Sequence, residues 1–149
     1  KPKPEDGQRE FLTIEEIKRL MNTPCEDDML KCAFIFCCLV GLRYSDVKKL
    51  VWNDLYEDNE GAIILRIRVT KTKRCEDFPI SKEALKWLPE RIGSGDEKIF
   101  KLPKNDNSNR KLKHWCTLAG ITKNVTFHVG RHINSSYPLK IRNLQRLLA

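Results

Sequence analysis

From Asp27 or Asp28 to Val40 the chain is apolar nearly all round, through Met29, Leu30, Ala33, Phe34, Ile35, Phe36, Cys37, Cys38 and Leu39. A helix without a polar face must be enclosed by the rest of its domain, so the remaining residues have to supply covering layers on every side. Gly41 follows the run, and glycine is the residue that most readily ends a helix in a left-handed turn. With 149 residues and 40% hydrophobic content, the chain can bury such a helix in one domain without disulfides or a metal staple.

The covering layers are read from capping and periodicity. Thr13 with Glu16 three residues on forms a capping box, opening a short amphipathic helix that stops before Pro24. Ser45 offers a cap for a helix carrying Val47, Leu50 and Val51, which puts Arg43 in a tight joint between two helices. Over Ala62 to Thr70 the period changes: Ile63, Leu65, Ile67 and Val69 alternate with Ile64, Arg66, Arg68 and Thr70, the pattern of a strand with one buried face. Phe78-Pro79-Ile80 reads as its partner, which makes Lys71 to Asp77 a basic hairpin tip.

Ser81 then caps a helix carrying Leu85 and Leu88 and ending at Pro89, with a glycine-bearing loop through Gly95. A polar loop is expected from Pro103 to Asn109. Leu112, Trp115, Cys116 and Ala119 share one face of a helix terminated by Gly120. Thr126 caps a helix bearing His128 and Arg131, Pro138 interrupts it, and Ile141, Leu144, Leu147 and Leu148 outline a last amphipathic helix. The fold class is therefore mainly α with a small antiparallel β-sheet (α+β): a linker-like segment over residues 1–10 and one domain over 11–149.

A formal charge of +8 and a pI near 9.3 favour polyanions, either nucleic acid or an anionic membrane surface. No segment has the apolar length to cross a bilayer, and the polar start lacks a secretion signal, so a cytoplasmic location is expected. Cys32, Cys37 and Cys38 lie in the apolar run and are read as reduced, packing thiols. Neither Cys37-Cys38 nor His114-x-Cys116 has zinc-ligand spacing, so no metal and no cofactor are expected.

Cations at four distant places suggest chemistry on a phosphate diester. Charge builds on the oxygens of such a group as it reacts, so positioning and cationic stabilisation dominate its catalysis. Arginine donates two parallel hydrogen bonds to one phosphate and stays protonated. His128 and Arg131, three apart, share a helix face, and histidine can move a proton near neutral pH. Each of these residues alone is an ordinary surface group, and Lys71 and Lys73 alone would be solvated charges that blunt a sheet edge.

Their order along the chain is more specific. Phe36 through Gly41-Leu42-Arg43-Tyr44-Ser45-Asp46 to Trp52 resembles the first arginine motif of the tyrosine recombinases, the phage-integrase family. Ile67-Arg68-Val69-Thr70-Lys71-Thr72-Lys73 followed by Phe78-Pro79-Ile80-Ser81 is similar to that family's lysine-bearing hairpin. Trp115 to Gly120, then Thr126-Phe127-His128-Val129-Gly130-Arg131-His132, resembles its second catalytic motif.

The resemblance implies a site-specific recombinase or integrase catalytic domain of a mobile element, acting on double-stranded DNA without metal through a 3′-phosphotyrosyl intermediate. Carried over by motif position, Arg43 and Arg131 would clamp the phosphate and His128 would assist proton transfer. Lys71 would be the general acid, with Lys73 its alternate, and Lys73 and Arg74 would contact DNA. The alternative is a non-catalytic DNA-binding protein that keeps the fold.

The family's nucleophilic tyrosine follows a Leu-Leu-Gly-His-like turn, whose start Leu147-Leu148 resembles. Tyr44, Tyr56 and Tyr137 stand in the wrong places for that role, and Ile133 to Pro138 departs from the family pattern. The 149 residues alone are therefore expected to be inactive and monomeric, whereas the complete family member works as a synaptic tetramer.

Overall fold

A computed structural model describes residues 12–69, 73–102 and 105–126. The first helix, α1 (Ile14–Asn22), opens on the capping box that Thr13 and Glu16 predict: the Thr13 Oγ1 accepts from the Glu16 N–H at 3.1 Å, and the Thr13 N–H donates to the Glu16 carboxylate at 2.9 Å. Ile17 and Leu20 face inward and are fully buried, while Arg19 is exposed. Two orphan amides at the helix start are thereby satisfied locally, which fixes where the chain enters the domain.

Helix α2 (Asp28–Val40) is the enclosed one. The Asp27 carboxylate caps it by accepting from the Leu30 N–H at 3.1 Å, and residues 33–38 are all completely buried. Fully burying a Phe, Leu or Ile contributes about 1.5–3 kcal/mol each, so this segment is the main apolar anchor of the domain. Cys37 and Cys38 are free thiols in that core, and burial pushes both well above the ordinary thiol range. Gly41 ends the helix at φ 86°, and its N–H donates to the Cys37 carbonyl at 2.7 Å.

A short helix α3 (Tyr44–Lys49) follows with Arg43, not Ser45, at its N-cap. Ser45 is inside the first turn because the Asp46 carboxylate accepts the Arg43 N–H, at 3.4 Å, and so starts the helix two residues earlier than the sequence cue. After a single 3-10 turn at Trp52–Asp54, the chain forms a three-stranded antiparallel sheet in the order β1 (Leu55–Glu57), β2 (Ile63–Val69), β3 (Arg74–Pro79). Strand β1 has no counterpart in the sequence reading, being too short for alternation to register. In β2, Leu65 and Ile67 are buried while Arg66 and Arg68 are exposed, as the alternation predicts.

Pairing of Val69 with Arg74 shortens the expected hairpin tip, since Arg74 to Asp77 are strand residues bound to β2. Helix α4 (Lys82–Leu85) is capped by Ser81, whose Oγ accepts from the Ala84 N–H at 3.2 Å, but it ends well before Pro89. The loop beyond it docks on the chain after α3, with Ile99 N–H to Leu50 C=O at 2.9 Å and Asn53 N–H to Gly95 C=O at 3.0 Å. A Cβ on Gly95 would lie 1.9 Å from the Asn53 side-chain oxygen, so a larger residue there would displace the Asn53 side chain.

Helix α5 (Asn105–Leu118) begins earlier than expected, absorbing residues 105–109 that read as a polar loop. Its inner face carries Ser108, Leu112, Trp115 and Cys116, all at most 1% exposed. Trp115 meets the Phe34 ring edge-on at 5.9 Å, and its indole N–H donates to the Thr23 carbonyl at 2.9 Å, which ties α5 to α2 and to the end of α1. Gly120, at φ 78°, terminates the helical stretch. The linker-like residues 1–10, the position of Lys71 and everything read beyond Thr126 lie outside the described residues.

Candidate functional site

Arg43 sits between two anchors. On its N-terminal side are the left-handed Gly41 and the buried Leu42, 5% exposed; on its C-terminal side are Val47 and Leu50, 0% and 3% exposed. Its own backbone is extended, φ −81° and ψ 156°, and its side chain is exposed and makes no capping bond to α3. An exposed guanidinium on a backbone gripped from both sides suits recognition of an external anion, because the backbone needs no further ordering and only the side-chain rotamers remain to be fixed on binding.

Tyr44, the next residue, is half-buried, and its hydroxyl lies 2.9 Å from the Oγ of Ser108 on α5. The Lys48 ammonium, one turn along α3, lies 6.0 Å from the centroid of the Tyr44 ring. Sequence reasoning missed this contact because residues 105–109 looked like a loop. The signal was present: Ser108 falls four residues before Leu112 and seven before Trp115, on the same helical stripe.

The second cationic element is the β2–β3 hairpin. Lys73 precedes β3 with φ 55°, a left-handed conformation in a non-glycine residue that typically marks the last position of a tight hairpin loop. Lys73 and Arg74 are both exposed. Behind them, Arg66 makes a bidentate pair with Asp77 at 2.9 and 3.2 Å, the Tyr56 hydroxyl donates to the same carboxylate at 2.9 Å, and the guanidinium lies 5.0 Å from the Tyr56 ring centroid. The hydrogen bond from Arg66, then that from Tyr56, holds the Asp77 carboxyl below the usual carboxylate range. This cluster crosses all three strands and braces the base of the hairpin; the sequence reading did not single it out.

A third element leads towards the His-x-x-Arg motif. After α5, Ile121 and Val125 are buried at 3% and 1% exposure, and the Ile121 N–H donates to the Cys116 carbonyl at 2.9 Å. Lys123 donates to the Glu16 carboxylate at 2.7 Å. Burial alone would raise the Glu16 carboxyl, but the bonds from Lys123 and from Thr13 outweigh it and hold the group below its ordinary value. The segment before Thr126 is thus pinned to both α5 and α1.

Of the six residues expected to carry chemistry or contact DNA, the structure places Arg43, Lys73 and Arg74; Lys71, His128 and Arg131 lie outside the described residues. Among the described residues, no group of three or more His, Cys, Asp or Glu side chains is placed to hold a metal ion. No described helix is long and apolar enough to cross a membrane.

The Phage integrase family matches this chain over residues 10–140. Among solved structures, XerA recombinase superposes with a TM-score of 0.65 at 22% identity, covering 93% of this chain and 52% of that one. A lambda integrase dimer bound to a COC′ core site gives a TM-score of 0.67 at 21% identity, covering 100% of this chain and 59% of that one. The catalytic domain of bacteriophage HP1 integrase gives 0.56 at 24% identity, over 85% of this chain and 70% of that one. At these identities the likeness establishes the fold, and the chain spans only about half the length of the XerA and lambda integrase chains. No curated protein matches at the level of sequence.

Proposed function

Because the chain belongs to the phage integrase family of tyrosine recombinases, we propose that it is the core of a catalytic domain that cuts and rejoins double-stranded DNA, in service of a mobile element. The observation that carries this reading is the Arg43 joint: an exposed guanidinium on a backbone fixed by buried neighbours, within the motif order of a family of DNA breaking-rejoining enzymes. The net charge of +8 supports a polyanionic partner. So do structural neighbours captured on DNA, among them XerH on its difH substrate and FLP recombinase on a Holliday junction.

In this reading Arg43 and Arg131 hold the two non-bridging oxygens of the scissile phosphate, and His128 passes a proton within the site. A tyrosine oxygen attacks phosphorus, forming a 3′-phosphotyrosyl bond as the bond to the 5′-oxygen breaks. The departing oxygen takes its proton from Lys71, or from Lys73 as the alternate on the same hairpin. Rejoining reverses these steps without metal. The nucleophile comes from outside these 149 residues, which alone bind DNA as a monomer and do not cleave it. The complete protein assembles as a synaptic tetramer in the cytoplasm, with residues 1–10 as a linker to what precedes the catalytic domain.

The test uses a form of the protein that carries the nucleophilic tyrosine, incubated with nicked site DNA. A covalent protein–DNA adduct is expected, and Arg43→Ala should suppress it by roughly 10²–10³-fold, the typical effect of removing one oxyanion donor, while leaving most of the DNA affinity. Binding without any adduct would assign the chain instead to the non-catalytic DNA-binding alternative. Affinity lost in proportion to cleavage would overturn the clamp.

A further inference from the structure

We infer that Tyr44 and Ser108 form a positioning pair that aims the Arg43 guanidinium; the inference rests on the reading of Arg43 as a phosphate ligand. Helix α3 has only 6 residues, too few to be stable or rigid by itself, so its orientation is inherited from what it packs against. Leu42, Val47 and Leu50 bury its inner side, but apolar burial is non-directional: it sets the depth of the helix and leaves rotation about that anchor weakly determined. Hydrogen bonds supply the missing direction: the Ile99 N–H to the Leu50 carbonyl at the C-terminal end of α3, and a side-chain bond at its N-terminal end beside Arg43.

The one between Tyr44 Oη and Ser108 Oγ, at 2.9 Å, spans 64 positions and reaches a side chain that is 0% exposed. Its far end does not yield. Ser108 belongs to α5, of 14 residues, rooted by Leu112, by Trp115 against Phe34 and by the indole bond to Thr23. Tyr44 is adjacent to Arg43, with consecutive Cα atoms about 3.8 Å apart, so tethering the phenol restrains the backbone from which the arginine projects.

A phenylalanine would fill the same space as the Tyr44 ring; only the hydroxyl reaches Ser108. Neither residue touches the phosphate in this arrangement. Both act through the guanidinium, which must present its two N–H groups in the plane of the phosphate oxygens to donate bidentately.

The experiment measures adduct formation at saturating nicked DNA, half-saturation by DNA, and thermal unfolding, all in the tyrosine-bearing form. Tyr44→Phe and Ser108→Ala are each expected to lower the saturated cleavage rate by roughly 10- to 100-fold, as small misplacements of a catalytic group do, with half-saturation unchanged. The double variant should be no slower than the slower single one. In an Arg43→Lys background, whose ammonium is a point charge without a fork to aim, Tyr44→Phe should cost little more. Wild-type cleavage in Tyr44→Phe, with Arg43→Ala inactive, overturns the pair and leaves the clamp standing. An undiminished Tyr44→Phe effect in the Arg43→Lys background also overturns it, as a general loss of fold. Full adduct formation by Arg43→Ala removes the clamp itself, and the pair with it.

Discussion

At the α2–α3 joint Arg43 stands between Leu42, Val47 and Leu50, all at most 5% exposed, whereas in the β2–β3 hairpin every residue from Lys73 to Asp77 is exposed. Both regions present cations to solvent, by different physical means. The joint is held by burial and by long-range hydrogen bonds, Tyr44 to Ser108 at one end and Ile99 to Leu50 at the other, so its geometry is part of the core. The hairpin is held by ladder hydrogen bonds and an ion pair in water, interactions that are individually weak and screened by salt. Under the proposed function, the first construction suits a phosphate clamp that must not move, and the second suits a contact that adapts to DNA.

The comparison can be broken most severely at α5. Trp115→Ala removes a side chain 1% exposed that packs on Phe34 and holds Thr23, and about 3–5 kcal/mol of stability should go with it in denaturant unfolding. A loss below about 1 kcal/mol would mean that the joint side is not rooted as described.

Next comes Glu16, which ties α1 to the segment before Thr126. Glu16→Ala should cost about 1.5–3 kcal/mol at neutral pH, the range for hydrogen bonds to a charged group. Because the folded carboxyl lies below its ordinary value of 4.5, its contribution is complete above that pH and is lost as pH falls through the folded-state value. The gap between wild type and variant should therefore close on acidification, and a gap independent of pH would remove the charge from the explanation.

Gly41→Ala is expected to cost about 1–2 kcal/mol, the penalty for a Cβ in the left-handed region, and, in the tyrosine-bearing form, to slow the proposed cleavage by disturbing the joint. Unfolding midpoints and adduct rates together check this. The smallest effect belongs to the hairpin: Arg66→Ala, which deletes the exposed pair with Asp77, should leave the unfolding midpoint nearly unchanged at moderate salt. A large shift there would erase the distinction between the two regions.

Much of the fold was legible wherever a signal is local. The Thr13–Glu16 box, the enclosed α2, the Gly41 stop, the alternation in β2 and the Leu112–Trp115–Cys116 stripe all depend on residues within a few positions of one another. Arg43 at a joint between helices was legible for the same reason, although its cap position was displaced from Ser45 by the Asp46 carboxylate. The illegible parts depend on partners. Strand β1 exists because Leu55 to Glu57 can pair with residues 63–65, and the first turn of α5 looked like a loop because only its inward Ser108 reveals a buried face.

Local stereochemistry and apolar periodicity thus determined, from the amino-acid sequence alone, a basic, mainly helical domain built around one buried helix, together with the order of its cationic motifs. Tertiary structure alone decided that Tyr44 meets Ser108, that Arg66, Asp77 and Tyr56 lock across three strands, and that Lys123 seeks Glu16. Those contacts join residues from 11 to 107 positions apart, and a directional bond between distant side chains exists only once packing has brought both ends within reach.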